Sequence, residues 1–464
     1  MASRIKYLWL LVFQVILVIL FFVFVRYDGD KNVNIRGYED AHVMIYVGFG
    51  FLMTFLMKYC YGALGINWML AALVAQWSII TQGLFHMKDM TIPLNKKTIL
   101  EADIMSATVL ITFGALLGRA SVNQLLFIAI VEALIGSLNL YLIEAVIKAS
   151  DVGGSMAIHS YGAFFGIAVS GAWVCCRKQR DQPQDEGHPL EKPSYMTDVT
   201  SMIVSGAWMR CRKRRDQPQD DVHPFEGPSY SSYTTDVTSM IGSIFLFIYW
   251  PSFNAALTGS DADYQRAVVN TYLSLAACSV VTFVLSAFLR HGKFEMEHIQ
   301  NSTLAGGVGV GTVCNMHITA GGAILIGIGA AFVSVFGFAK LKASLYIQYG
   351  NPFLIRKCGL LDTCGVLHLH GFPGVYSGII SVIVAALATE KMYGAEGLKT
   401  VFEAIGHGRS TGMQGAMQLA ALLCSLGLAI VFGVITGCIT RLKIFDPLSK
   451  EQQFNDEQFW EIPT

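Results

Sequence analysis

A nine-residue pattern containing an acid, a glycine and a histidine occurs twice in the chain. The pattern D-x-x-G-x-x-x-x-H places these residues at Asp151, Gly154 and His159, and again at Asp362, Gly365 and His370. Each copy opens an apolar helix, along which the eight-residue step separates the acid and the imidazole by about 12 Å and about 80°. An imidazole can donate or accept a hydrogen bond and exchange a proton near neutral pH. The pattern therefore predicts paired polar groups inside an apolar protein.

The composition is typical of an integral membrane protein. Of the 464 residues, 53% are hydrophobic and only 14% are charged, and the mean hydropathy is +0.49. Soluble proteins carry about a quarter charged residues, so this chain has too few to cover a water-exposed surface. The net charge of +0 gives no indication of a nucleic-acid partner. Its ten scattered cysteines show neither a disulfide framework nor metal-binding spacing, and we expect no metal and no cofactor.

Hydropathy predicts an all-α fold with about twelve transmembrane helices. Each crossing of a bilayer needs about 20 mostly apolar residues. The first candidate lacks an A-x-A-like cleavage site and is interpreted as a retained helix. The predicted spans are 7–25, 42–57, 62–85, 103–118, 122–147, 154–174, 239–258, 267–289, 299–316, 318–339, 363–388 and 415–440.

The two copies of the pattern lie at the sixth and eleventh spans, which cross the membrane in opposite directions. Inverted halves of this kind are common in transporters, and their site lies near the midplane. We therefore predict an inverted repeat of five plus five helices, with an extra N-terminal and an extra C-terminal helix. In a core of about 30 Å, His159 and His370 are expected to meet near the centre. His368 points to another face of its helix and is left out of the site.

Each predicted site residue also has a purely structural interpretation. A single intramembrane histidine is more often a hydrogen-bonded packing residue, but two with the same motif and depth favour function. Asp151 and Asp362 precede helices, so they are predicted to cap the free N–H groups of the first turn. Electrostatic support of the histidines is a second possible role for these acids.

Loop charges and a short duplication predict the domain organisation. More Lys and Arg residues lie in the loops that are inside if the N-terminus is cytoplasmic, which predicts both termini inside. Residues 169–203 recur almost verbatim at 204–241, yet one copy suffices to connect two helices. We predict a transmembrane domain over 1–441, a cytoplasmic loop at 174–238 that contains the surplus repeat, and a cytoplasmic tail at 442–464. The surplus is hypothesised to be a tandem exon duplication or a gene model that joined two alternative exons.

Seven motifs, in order along the chain, resemble one protein family. They are 46–54 (YVGFGFLMT), 153–159 (GGSMAIH), 250–254 (WPSFN), 270–278 (NTYLSLAAC), 298–307 (HIQNSTLAGG), 362–365 (DTCG) and 459–463 (FWEIP). The chain resembles the ammonium transporter/methylammonium permease/Rh superfamily, and within it the non-erythroid Rh glycoproteins. The resemblance runs from about residue 7 to the end, apart from the surplus repeat.

The resemblance implies a plasma-membrane homotrimer that conducts ammonia or ammonium, with one narrow apolar pore in each protomer. It implies that His159 and His370 are twin histidines lining the pore, and that Phe253 forms part of an aromatic gate. The second gate position follows Asp103 and is Ile104, which offers no aromatic ring for a cation–π contact. Recruitment of ammonium at the mouth is therefore expected to be weaker than in relatives.

Other functions remain open from the sequence. A non-transporting Rh-type membrane scaffold is disfavoured because both histidines are present. Carbon dioxide as a second permeant is not distinguished from ammonia. A metal-dependent enzyme would need a third close ligand beside the two histidines, and no HExxH or nucleophile motif occurs. We therefore predict a transport protein without enzymatic activity, whose partners are its permeant, the lipid bilayer and its own copies.

Overall fold

Twelve apolar helices form a bundle within the residues that the computed structural model describes, which are 7–28, 37–87, 89–178, 231–342 and 361–463. Most of the predicted cytoplasmic loop, residues 179–230, lies outside this part of the chain. The helices are α1 (Leu8–Phe24), α2 (38–55), α3 (Cys60–Gly83), α4 (Lys96–Leu116), α5 (Val122–Ile147), α6 (155–178), α7 (Tyr233–Ala255), α8 (Asp261–Leu289), α9 (296–311), α10 (319–342), α11 (Leu367–Ala386) and α12 (Thr411–Ile439).

The predicted architecture of two inverted halves is present. Eight of the described helices are long and apolar enough to cross a bilayer by length and composition. Helices α2–α6 and α7–α11 form the two halves, and α1 and α12 flank them. Five crossings take the chain from one face of the membrane to the other. The second half therefore starts on the opposite face and is inverted relative to the first.

Several helices begin earlier than hydropathy predicts, and four of these have a polar first turn with a side-chain cap. A side-chain oxygen of the preceding residue accepts a hydrogen bond from a backbone N–H of the first turn, which stabilises a helical start. Such a turn is helical without being apolar, so a hydropathy profile omits it. The capping residues are Asn95 before α4, Ser232 before α7, Ser260 before α8 and Ser410 before α12.

Some local structure departs from the sequence predictions. The span predicted at 299–316 consists of two helical pieces, Met296–Ser302 and Ala305–Gly311. The short strands β1 (Val25–Tyr27) and β2 (Ile92–Leu94) pair in parallel and connect the end of α1 to the start of α4. These differences lie outside the helical turns that carry the paired histidines.

Helix α6 approaches α4 closely enough for backbone contact. A Cβ atom on Gly162 would lie 2.5 Å from the carbonyl oxygen of Thr108, so only glycine fits at this point of the seam. A Cβ atom on Gly166, one turn further along, would lie 2.9 Å from the Cβ of Ala115. Small residues at this spacing allow membrane helices to pack tightly. The helix that carries His159 is thereby held against the helix that carries Ile104.

Candidate pore and its outer vestibule

The imidazoles of His159 and His370 meet in the interior of the bundle. Their Nδ1 atoms are 3.1 Å apart, and the rings are nearly parallel, with an interplanar angle of 11°. Both side chains are buried. Each histidine lies in a π-helical turn, Ser155–Ser160 in α6 and Leu367–Gly371 in α11. Such wider turns are frequent at functional sites.

The contact between the two Nδ1 atoms determines what the pair offers to a guest. One Nδ1 must carry a proton and the other must accept it, so two neutral rings are opposite tautomers. One Nε2 atom is then a donor and the other is an acceptor. Nε2 of His159 is buried, and no hydrogen-bond partner for it lies among the described residues. The pair can therefore bind a small polar molecule that both donates and accepts.

Aromatic rings surround the histidine pair. The Trp250 ring lies 5.5 Å from the His159 ring, and Phe49 stacks on His370 at 6.1 Å. Phe253, one helical turn from Trp250, lies 6.3 Å from His159. Sequence reasoning assigned no role to Trp250 or Phe49, although both lie in the motifs that carry the resemblance and Trp250 is at i–3 from Phe253. The site is consequently polar at the imidazoles and apolar around them.

The two aspartates accept backbone hydrogen bonds at the starts of their helices. Asp151 Oδ2 accepts from the amides of Met156 and Ala157 at 3.0 and 2.8 Å. Its other oxygen accepts from the Thr312 hydroxyl at 2.6 Å, across to the second half of the protein. The carboxylate of Asp362 accepts from the amides of Val366 and Leu367, both at 2.9 Å.

The glycine of each copy allows the backbone to turn between the acid and the helix. Gly154 has φ +66° and Gly365 has φ +72°, a left-handed conformation that glycine adopts without steric cost. The amides that follow can therefore point back at the preceding carboxylate. The shared D-x-x-G pattern thus has the same local geometry at both ends of the membrane.

A small cavity of about 60 Å³ lies next to the His159 turn, at the end of α3–α6 that the sequence predicts to be extracellular; we refer to this end as the outer end. Its apolar lining includes Ile104 from α4, Ile158 from α6 and Leu257 from the end of α7. Both predicted gate residues, Ile104 and Phe253, are buried. We call this cavity the vestibule.

Three acids line the vestibule, two of which sequence reasoning missed. Glu101 of α4 and Glu144 of α5 share the cavity with Asp151. Burial raises the pKa of the Asp151 carboxyl to about 7, although hydrogen bonds from Thr312, Ala157 and Met156 oppose this shift. Acids that share a partly enclosed cavity attract cations, and among the described residues the one lysine paired with them, Lys97, lies 3.5 Å from Glu101. Glu101 and Glu144 lie near the outer ends of their predicted spans, and this position is the one sequence feature that could have suggested a role at the pore mouth.

The residue before the gate position has a histidine partner. Asp103 is buried, and its Oδ2 lies 2.5 Å from Nδ1 of His42, at the outer end of α2. His42 is flanked by the rings of Tyr38 and Tyr46 at 5.5 and 5.1 Å. This contact ties the outer turn of α4, and with it Ile104, to α2.

The third histidine of the motif region lies apart from the pair. His368 is buried and packs against the rings of Phe338 and Phe372. In the described part of the chain, no cluster of three His, Cys, Asp or Glu side chains could hold a metal ion.

Comparison with known proteins finds relatives over the whole chain. The profile described as the Ammonium Transporter Family matches residues 5–208 and 207–458. Ammonium transporter Rh type B-A of Xenopus laevis is 39% identical over 481 residues, which cover 98% of this chain and 93% of that protein. Ammonium transporter Rh type C of Homo sapiens is 36% identical over 477 residues, covering 98% and 88%.

Solved structures show the same fold. Rh50 of Nitrosomonas europaea is 26% identical and aligns with a TM-score of 0.65, over 91% of this chain and 90% of that one. Mep2 of Candida albicans is 15% identical, with a TM-score of 0.59 over 93% and 88%, and supports the fold alone. With the family profile matching both halves and relatives above 30% identity along nearly the entire length, this chain belongs to the ammonium transporter family.

Proposed function

We propose that the protein conducts ammonia across a membrane through a pore in each protomer, with His159 and His370 at its centre. The observation that carries this proposal is the buried Nδ1–Nδ1 contact of 3.1 Å. It joins the two halves at one point and leaves one donor and one acceptor for a small guest. The Rh type B and Rh type C relatives, named as ammonium transporters, support the same permeant.

The permeant must change its charge between the vestibule and the histidines. A bare ammonium ion in a medium of low dielectric loses hydration worth tens of kcal/mol, whereas neutral ammonia loses far less. In the proposed mechanism, Glu101, Glu144 and Asp151 concentrate ammonium in the vestibule. The ion then gives up its proton before the neutral molecule passes Ile104 and Phe253. A carboxyl such as Asp151, with a pKa near neutrality, is suited to exchange that proton.

The histidine pair then replaces part of the solvation of ammonia. Ammonia can accept a hydrogen bond from the Nε2–H of one ring and donate one to the Nε2 of the other. We expect potassium to be excluded, because the described residues around the pair are imidazoles and aromatic rings and not the ring of carbonyl oxygens that would replace its water. We therefore attribute selectivity to the missing charge compensation around the histidine pair.

The assembly and placement that we propose follow the sequence predictions. The protein is a homotrimer in the plasma membrane, with both termini cytoplasmic. The 174–238 loop and the 442–464 tail are also cytoplasmic. The excess of Lys and Arg in the inner loops supports this orientation, and transport without catalysis is the proposed activity.

The decisive experiment measures internal pH by stopped flow in proteoliposomes after an inward ammonium gradient. Wild-type protein is expected to alkalinise the lumen faster than empty liposomes. The double variant His159→Ala with His370→Ala is expected to lose this excess, because ammonia then enters an apolar pore without a hydrogen-bonding partner. His368→Ala is the matched control, since it removes a buried imidazole outside the pair.

Two results would overturn the proposal. One is an undiminished rate in the double variant, and the other is no excess rate in a folded wild-type trimer. Repeating the wild-type measurement with one copy of the 169–241 duplication deleted distinguishes a scaffold from a pore impaired by the surplus segment. A parallel measurement with a carbon dioxide gradient reports whether that gas also permeates.

A further inference from the structure

Glu132 is an ionisable side chain in the middle of helix α5. It lies ten residues from the start of a 26-residue span, and its exposed fraction is 0%. A charged side chain at such a depth is costly unless a partner compensates it. Glu132 takes no part in the proposed path of ammonia, so a buried acid at this depth needs a different explanation.

Two distances around Thr112 of α4 bear on the protonation state of Glu132. The Thr112 hydroxyl lies 2.7 Å from Oε1 of Glu132 and 2.8 Å from the carbonyl oxygen of Gly162. A hydroxyl has one proton to donate, and a backbone carbonyl can only accept. If Thr112 donates to Gly162, then the group at 2.7 Å must donate to Thr112. A carboxyl group can do so only when it is protonated.

The alternative is an ionised Glu132 that accepts from Thr112. The hydroxyl would then present a lone pair to the Gly162 carbonyl at 2.8 Å, which is an unfavourable contact between two acceptors. The second oxygen of Glu132 would also be a buried anionic atom, and no hydrogen-bond partner for it lies among the described residues. A buried charge with one hydrogen bond and no counter-ion is strongly destabilising.

The helices packed on α5 supply no such counter-ion. Helices α3 and α12 contain no Asp, Glu, Lys, Arg or His. The charged residues of α4 all lie nine or more residues before Thr112. In α6, the titratable groups within one turn of Gly162 are His159, whose Nδ1 is in contact with His370, and Tyr161, whose hydroxyl is 3.5 Å from the backbone carbonyl of Glu132. The other acid of α5, Glu144, is about 18 Å away along the helix.

We propose that Glu132 is a neutral carboxylic acid that donates to Thr112, and that this chain of hydrogen bonds positions the pore helix α6. The acid orients the Thr112 hydroxyl toward Gly162, three residues beyond His159 and within the close α4–α6 seam. Glu132 is thus a positioning residue that acts through Thr112. The protonation state stands independently of transport, whereas the positioning role rests on the proposed function.

Infrared spectroscopy of the protein in lipid tests the protonation state directly. The spectrum of wild type minus Glu132→Gln is expected to contain the C=O stretch of a protonated carboxylic acid, both near neutral pH and at about pH 8, well above the ordinary pKa of glutamate. Glutamine keeps the size of the side chain and a donor for Thr112, so the fold is retained in the reference. A difference spectrum with carboxylate bands instead would overturn the proposal.

Ammonia flux tests the positioning role. Thr112→Val removes the hydroxyl at nearly constant volume, and we expect flux to fall about fivefold, the factor for one buried hydrogen bond of ordinary strength. Glu132→Leu is expected to lower flux in the same direction, and Glu132→Gln is expected to stay within about twofold of wild type. Wild-type flux in both Thr112→Val and Glu132→Leu would refute the positioning role. Absent flux in wild type would instead refute the proposed function and leave the infrared result standing.

Discussion

The outer and inner ends of the pore share one motif but differ in the charge around it. At the outer end, Asp151 faces a cavity that Glu101 and Glu144 also line, so three acids stand against Lys97, which lies 3.5 Å from Glu101. At the inner end, the Arg119 guanidinium donates to the carbonyl of Leu361, next to Asp362, at 3.2 Å. Acids concentrate cations, and a guanidinium offsets the charge of a neighbouring acid. Because the motif is the same at both ends, this difference arises from neighbouring helices, and it supports the proposed recruitment of ammonium at the outer end.

The largest expected effect comes from removing the outer acid of the motif. Asp151→Ala leaves two backbone amides and the Thr312 hydroxyl without their acceptor, and we expect the free energy of unfolding to fall by about 3 kcal/mol. Thr312→Val removes only the bond between the halves and should cost about 1 kcal/mol. Thermal unfolding in detergent measures both. Equal stability of Asp151→Ala and wild type would show that the outer motif does not tie the halves together.

A smaller effect is expected at the His42–Asp103 contact, which holds the gate turn of α4 at the outer end. His42→Ala leaves the buried carboxyl of Asp103 without this partner, and we expect a loss of about 2 kcal/mol of the free energy of unfolding. His42→Asn places an N–H near the position of Nδ1 and should recover most of that loss. The same unfolding assay compares the two variants. Identical losses in both would mean that ring packing against Tyr38 and Tyr46, rather than the hydrogen bond, anchors this turn.

The smallest effect concerns the charge of the vestibule. Glu101→Gln with Glu144→Gln should raise the half-saturating ammonium concentration about threefold at low salt, because fewer acids attract the cation. The increase should shrink as salt screens the field. Glu390→Gln is the matched control, since that acid is exposed on the same outer side but does not line the cavity. A change that does not depend on salt, or no change at all, would show that the acids of the vestibule do not attract ammonium through their charge.

Much of the fold and the centre of the site could be predicted from the sequence. Apolar stretches specify membrane helices because an unpaired backbone is too costly in lipid, and all twelve predicted spans correspond to helices. The repeated D-x-x-G-x-x-x-x-H pattern indicated which histidines would face each other, since each step is local to one helix. The structure brings His159 and His370 into contact, and their role in conduction is the function we propose.

The remaining features depend on contacts between helices, which one sequence does not reveal. Helix starts such as Lys96 were missed because a capped polar turn has no hydropathy signal. Glu101 and Glu144 become neighbours of Asp151 only when three separate segments pack around one cavity. In the sequence, Glu132 is an isolated acid within an apolar span. Only the packing of α4 and α6 places Thr112 and Gly162 beside it. The sequence alone determined the helices and the paired histidines. The tertiary structure decided which acids share a cavity, and it is the basis of the protonation that we propose for Glu132, because both depend on distances across the bundle.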